Sequence, residues 1–145
     1  MPYCTQDDLA ALIPAQELAQ LTTESGDEAD AAVVAGVIAA ADAEIDSYLL
    51  VRYKLPLAAT PARVKALSVD LAIYKLYGRR GVTNEARRKA YEDAVKFLQL
   101  VAKGLAVIEG ADNVEPPGQA QDVTEISSGG GLGERVFDRG KMSDW

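Results

Sequence analysis

The sequence contains no histidine, and Cys4 is the only cysteine among its 145 residues. Histidine is the usual general base near neutral pH and a common metal ligand, so both kinds of site lack their most frequent residue. One cysteine cannot form an internal disulfide or a cysteine cluster for a metal. Without a histidine to activate it, Cys4 is better explained as a small half-buried thiol than as a nucleophile. We therefore expect no catalytic site, no metal site and no cofactor.

The sequence also lacks a continuous apolar run of the roughly 18 to 20 residues that a membrane span needs. The sequence is also not rich in basic residues: it has 15 Lys and Arg and 22 Asp and Glu, which gives a formal net charge of −7. Phosphate backbones attract clustered Lys and Arg, so this balance argues against general affinity for nucleic acid. We expect a cytosolic protein without membrane contacts.

Aromatic residues are scarce, at 6%, while alanine is abundant, which favours closely packed helices over a sheet core. Apolar residues recur at spacings of three and four in three stretches, which predicts helices over about residues 30–53, 61–77 and 84–103. Gly36 inside the first helix predicts a close helix crossing. The fold class is therefore all-α, a small helical bundle formed by residues 1–104. Its shared core is expected to contain Ile45, Leu49, Leu67, Leu71, Tyr74, Val95 and Leu98.

After Gly104 the helical periodicity is lost. Residues 105–145 hold seven of the twelve glycines and eight of the 22 acidic residues. Such a segment cannot bury enough apolar surface to offset its chain entropy, so we predict an extended, mostly irregular C-terminal arm. Its tip nonetheless carries large apolar and charged side chains, which predict a partner-binding site that becomes ordered on binding. The residues expected to bind are Val136, Phe137, Asp138, Arg139, Lys141, Met142 and Trp145.

Charge is divided unevenly along the helical body. Residues 1–54 carry ten acidic and two basic residues, whereas residues 55–104 carry ten basic and four acidic residues. Two faces of opposite sign suit head-to-tail self-association, although solvated helix faces would also explain the pattern. The candidate subunit-interface residues are Asp42, Glu44 and Asp46 on the acidic side, and Arg79, Arg80, Arg87 and Arg88 on the basic side.

Three other kinds of site deserve comparison with this interpretation. The acids between residues 42 and 46 could hold a hard cation, but their spacing points them in different directions and matches no calcium loop, so a solvated helix face is favoured. The glycine run 129–133 lacks the Lys-Ser or Lys-Thr of a phosphate-binding loop. The basic segment 75–89 is the best candidate for a nucleic-acid patch, but an equally consistent interpretation is a docking face for an acidic partner.

Four segments in order carry a resemblance to a known family. They are Tyr3–Leu9 (YCTQDDL), Ala43–Leu49 (AEIDSYL), Arg52–Leu57 (RYKLPL) and Asp70–Tyr77 (DLAIYKLY). Together they resemble the Mu-like family of tailed-phage head-tail connector, or adaptor, proteins, over the stretch 3–104. The resemblance implies a helical body that assembles as a ring, expected to be a dodecamer, beneath the portal. It also implies a terminal arm that reaches into the portal.

The function implied by this resemblance is structural and not enzymatic. The protein would be a virion component of the neck between head and tail, present in the host cytoplasm during assembly. Its partners would be other copies of itself, the portal protein and a tail or neck protein below, and DNA would pass through the lumen without specific binding. The alternative is a small phage-encoded regulator that binds nucleic acid through residues 75–89. Ring formation and salt-dependent DNA binding distinguish the two functions.

Overall fold

The computed structural model describes residues 1–112, and these residues form five α-helices without a β-strand. The tip residues of the predicted arm and the glycine run 129–133 lie outside this range. The helical content confirms the predicted all-α class. The helices are α1 (Gln6–Ala10), α2 (Ala15–Thr22), α3 (Ala31–Leu49), α4 (Ala62–Arg80) and α5 (Glu85–Ala102).

Side-chain caps start three of the helices. Thr5 and Asp8 form a reciprocal capping box at α1, Asp30 accepts hydrogen bonds from two backbone N–H groups at α3, and Asn84 caps α5. At α4 the predicted start at residue 61 is one residue too early. Pro61 has an extended ψ of 148° and occupies the capping position itself, so Ala62 is the first helical residue.

Helices α3, α4 and α5 pack against one another around one apolar core. Most of the predicted core is confirmed, since Ile45, Leu49, Leu67, Leu71 and Leu98 are at most 1% exposed. Tyr74 and Val95 are only half-buried, which corrects their assignment to the core centre. The Tyr74 ring lies at the edge of the bundle, where it stacks on Tyr91 with 4.1 Å between ring centroids. Stacking at the edge covers the apolar face of the ring and leaves its hydroxyl near solvent.

Helix α4 extends beyond residue 77, where the sequence predicted its end. The helix continues through Gly78 to Arg80 and closes at Gly81, whose φ of 67° is left-handed. The N–H of Val82 then bonds to the Tyr77 carbonyl over 3.1 Å, which completes a glycine-terminated helix end.

The end of α5 is held against the end of α3. Gly104 adopts a left-handed conformation, with φ 78°, and a Cβ at this position would lie 2.8 Å from the Arg52 guanidinium. Ile108 is buried, and its N–H donates to the Tyr53 hydroxyl over 2.8 Å. The packed body therefore reaches at least to Ile108, although the sequence assigned residues 105–112 to the arm.

Gly36 lies on the exposed side of α3, and within residues 1–112 no atom of another segment comes within 4 Å of the place where its Cβ would be. The predicted close crossing is therefore wrong for the five helices α1 to α5. Over the residues placed by the structure, no helix combines the length and apolarity needed to cross a membrane.

Candidate interaction surfaces

Asp42, a predicted interface residue, is largely buried and binds within its own chain. It is 9% exposed, and its Oδ1 accepts a hydrogen bond from the Ser68 hydroxyl over 2.5 Å. Its Oδ2 accepts one from the Tyr3 backbone N–H over 2.9 Å, and the Tyr3 hydroxyl donates to Asp46. The interpretation as a solvated face is therefore wrong for Asp42, because its carboxylate is buried and anchors the first residues of the chain to α3. Buried carboxylates need such partners to offset the loss of water.

Cys4 lies beside this network, with its Sγ 3.1 Å from the Ser68 hydroxyl oxygen. Its side chain is 1% exposed, more deeply buried than predicted. Burial raises the pKa of the Cys4 thiol, so the thiolate that a nucleophile requires is disfavoured at neutral pH.

Glu44 points to a different set of partners. It accepts hydrogen bonds from Lys75 Nζ over 2.7 Å and from the Tyr91 hydroxyl over 2.8 Å. Burial raises the pKa of Tyr91 to about 12, and the hydrogen bond to the Glu44 carboxylate adds to this shift. Asp42 and Asp46 thus both bind Tyr3, whereas Glu44 binds Lys75 and Tyr91, so the three acids do not converge on one point.

The basic segment 75–89 is also engaged within the chain. Arg79 donates to the Leu21 carbonyl over 3.3 Å, and Arg80 donates to the carbonyls of Gln20 and Thr23. These carbonyls belong to the last turn and the cap of α2, where a helix leaves backbone acceptors without helical partners and favours positive charge. The two arginines therefore close the end of α2.

The next two arginines have partners as well. Arg87 donates to the Leu12 carbonyl over 3.2 Å, and Arg88 forms an ion pair with Glu92 one turn away, at 3.0 Å. With Lys75 on Glu44, five of the six cations of this segment have partners in the same chain. Exposed pairs of this kind are weak, so they orient the side chains without neutralising the surface.

Further contacts join the acidic first half of the chain to the basic second half. Lys65 pairs with Asp8 at 2.7 Å, and the Tyr77 hydroxyl donates to Glu17. The hydrogen bond from Lys65 lowers the pKa of Asp8. Part of the charge division predicted to act between copies is therefore satisfied inside one copy.

Two surfaces remain without a partner in the described part of the chain. The first is a groove of about 630 Å³ between the first residues and α3, which we call the α3 groove. Its charged lining residues are Asp42 and Asp46, and the rest of its lining is mostly small or apolar. The exposed positions of α3 beside and within it are all small and uncharged from residue 31 to 47, namely Ala31, Ala32, Ala35, Gly36, Ala39, Ala40, Ala43 and Ser47.

The second surface, which we call the end patch, consists of exposed large apolar residues at the joined ends of α3 and α5. Its members are 42% to 74% exposed and are Leu50, Val51, Leu100, Leu105 and Val107. The contacts of Arg52 with Gly104 and of Tyr53 with Ile108 hold the two chain segments together. Grouped exposed apolar residues, unlike scattered ones, indicate an interaction site.

Sequence reasoning missed both surfaces. The alanine-rich side of α3 was visible as a pattern, but the periodicity was used only to find the buried side. The end patch has no signal along the chain, because packing brings residues 50–51 next to residues 100–107. The predicted arm residues from Val136 to Trp145 lie beyond the described residues, so the structure does not place them.

Comparison with known proteins identifies related phage sequences. A family model described as "Bacteriophage Mu, Gp36" matches residues 3–125, which include the whole body from α1 to α5. The Mu-like prophage FluMu protein gp36 of Haemophilus influenzae is 33% identical over 111 residues, which is 77% of each chain. Gene product J of Escherichia phage Mu is 31% identical over 133 residues, which is 88% of this chain and 91% of that relative.

Proposed function

The chain belongs to the bacteriophage Mu Gp36 family, and from this premise we propose that it is a structural protein of the phage particle. In this proposal it is the head-tail connector, or adaptor, in the neck between head and tail. It docks on the portal as an oligomeric ring and continues the DNA channel to the tail. The observation that carries the proposal is the family match, because it extends across the complete helical body.

The surfaces of the body support an assembly role. The α3 groove and the end patch are both largely apolar, and they differ in the size of their exposed side chains, which are small on α3 and large in the patch. Contacts between two unlike surfaces are heterologous, and repeated heterologous contacts close into rings when the rotation between copies permits. A rigid body with unlike free surfaces therefore suits a repeated subunit.

The arm supplies the proposed contact with the portal. Phe137 and Trp145 are the aromatic anchors, and Arg139 and Lys141 add charge pairing, because aromatic and arginine side chains contribute much of the energy at interface centres. Ordering a glycine-rich segment lowers the net affinity of each arm. Many arms in one ring restore it through multivalency.

Passage of DNA without binding agrees with the charge distribution. The formal net charge is −7, and two cations of segment 75–89, Lys75 and Arg88, stand beside the carboxylates of Glu44 and Glu92. Tight phosphate binding requires clustered cations that can release counterions from DNA. The same observations count against the alternative of a nucleic-acid-binding regulator, which would use this segment.

Docking on purified tail-less heads tests the proposal. We expect the full-length protein to bind the heads and to form rings at the portal vertex, visible by electron microscopy. A variant that lacks Glu134–Trp145 should keep the helical content and unfolding transition of the body, because the core lies within residues 4–108. It should dock much more weakly in a pull-down on the same heads.

The outcomes separate the parts of the proposal. Undiminished docking by the truncated variant contradicts the arm as the anchor, whereas failure of the full-length protein to bind heads contradicts the connector role. Tight binding to random DNA that weakens steeply with salt would favour the regulator.

A further inference from the structure

The outer side of α3 differs from that of the other long helices. Its exposed positions from 31 to 47 are alanine, glycine or serine, whereas α5 exposes mostly charged residues, including Glu85, Arg88, Lys89, Glu92, Asp93 and Lys96. Both helices belong to one bundle and have similar lengths, 19 and 18 residues, so the difference is specific to α3. A surface of small side chains allows another chain to approach the helix axis closely.

Gly36 gives the same indication independently. Glycine weakens a helix interior relative to alanine. Nothing in another segment of the described chain lies within 4 Å of its missing Cβ, so no packing contact there requires glycine. A close approach from outside the chain would use the space that the absent side chain leaves.

The end patch complements the α3 groove in side-chain size and in charge. It presents large apolar side chains where the α3 groove presents small ones. Among its neighbours along the chain, the four bases Arg52, Lys54, Lys96 and Lys103 outnumber the two acids Asp46 and Glu109, whereas the groove is lined by Asp46 and the buried Asp42. Complementary charge fixes the register of two surfaces and speeds their encounter.

The two surfaces cannot meet within one chain. The groove is lined by α3 residues from Ala31 to Asp46, and Leu50 of the patch caps the end of the same helix, so both surfaces are fixed on one rigid element and cannot turn to face each other. A contact between groove and patch therefore joins different copies. When the contact is head-to-tail, it leaves one groove and one patch free at the two ends of each pair, so further copies can add in the same way.

We infer that the end patch of one copy docks in the α3 groove of the next copy, so that the occupant of the groove is a second copy of this chain. The inference rests on the proposed function, since it names the contact by which the connector ring is built.

Mixed cysteine crosslinking tests which surfaces meet. Ala39→Cys places a thiol in the groove and Leu100→Cys places one in the end patch, while native Cys4 is only 1% exposed and reacts poorly in the folded protein. The two full-length variants are combined and treated with a short bifunctional maleimide. We expect covalent dimers in the mixture and few in either variant alone. A mixture that yields no more dimer than the single variants overturns the inference.

A matched pair of arginine substitutions tests whether the groove is required. Ala39 and Ala66 are both exposed alanines inside 19-residue helices, but only Ala39 lines the groove. Arginine has nearly the helix propensity of alanine, so both variants should retain the helical content of the wild type. Ala39→Arg should weaken self-association about tenfold or more by light scattering. Ala66→Arg should leave it unchanged.

Equal self-association of the two arginine variants overturns the inference. The inference is also overturned when the wild type stays monomeric at the highest concentration reached and the mixed cysteine variants give no crosslinked dimer. Failure of this contact is distinguishable from failure of the connector role. Rings that form on heads with Ala39→Arg as readily as with wild type contradict only the proposed contact. Wild-type protein that does not bind heads contradicts the connector role itself.

Discussion

Ser68 on α4 donates its hydroxyl hydrogen to Asp42 on α3 across 2.5 Å, and both side chains are buried. Because the other oxygen of Asp42 accepts the Tyr3 N–H, one carboxylate connects two helices and the first residues of the chain. Asp42 also lines the α3 groove, and Met1, Pro2 and Cys4 line it from the first residues of the chain. The hydrogen bond from the Tyr3 N–H to Asp42 therefore joins the two sides of the groove.

Replacing Asp42 by Ala should lower the free energy of unfolding by about 1 to 3 kcal/mol, because the Tyr3 N–H and the Ser68 hydroxyl lose their acceptor in a buried place. Urea unfolding measures the loss, and faster hydrogen exchange at the Tyr3 amide reports the release of the first residues. Asp27→Ala removes an exposed loop carboxylate and should change stability by less than about 0.5 kcal/mol. Equal effects of the two substitutions would contradict the anchoring role.

Replacing Leu71 by Ala should cost roughly 2 to 5 kcal/mol of unfolding free energy, because Leu71 is 0% exposed in the centre of α4 and its loss leaves a cavity. Leu12→Ala removes the same atoms from a side chain that is 52% exposed and should cost far less. Chemical denaturation of both variants gives the comparison. A cost below about 1 kcal/mol for Leu71→Ala would mean that the core is misassigned.

The same substitution at two glycines of α4 should have opposite effects. Gly78 lies inside the helix with open space at its Cβ position, so Gly78→Ala should raise the stability by about 0.5 to 1 kcal/mol. Gly81 closes the helix with φ 67°, so Gly81→Ala should lower it by about 1 kcal/mol, because alanine disfavours the left-handed region. Thermal and urea unfolding measure both. Changes of the same sign would place the helix end elsewhere.

Stability should fall as the pH rises above 10. The pKa of Tyr91 is raised to about 12 in the folded protein, compared with about 10 in the unfolded chain. The protonated hydroxyl therefore contributes its full stabilisation below about pH 10. This contribution is lost as the pH rises through about 12. Tyr91→Phe should weaken this dependence, because the buried hydroxyl that resists ionisation is gone. Urea unfolding between pH 8 and about 12 measures it, and tyrosinate absorbance follows the titration.

Burial also raises the pKa values of Tyr3 and Tyr77, so part of the dependence should remain in the Tyr91→Phe variant. Identical curves for this variant and the wild type would show that Tyr91 does not contribute.

The long helices were predictable because their signals are local. Apolar spacing and the capping residues Asp30 and Asn84 act within a few residues, and the predicted helices overlap α3, α4 and α5 closely. Errors arose at helix ends, as at Pro61 and Gly78, where one turn more or less changes little in the local pattern. Four short segments also identified a Mu-like phage family, which the match over residues 3–125 confirms. The connector role stays a prediction.

The amino-acid sequence by itself determined the helical class, most of the core and the family, because these depend on residue type and short spacing. Only the tertiary structure decided the partners of Asp42 and Glu44, the exposed position of Gly36 and the grouping of the end patch. Ser68 is 26 positions from Asp42, and Tyr53 is 55 positions from Ile108. Such contacts depend on how whole helices pack, because only packing of the apolar sides settles which polar residues and which exposed surfaces become neighbours.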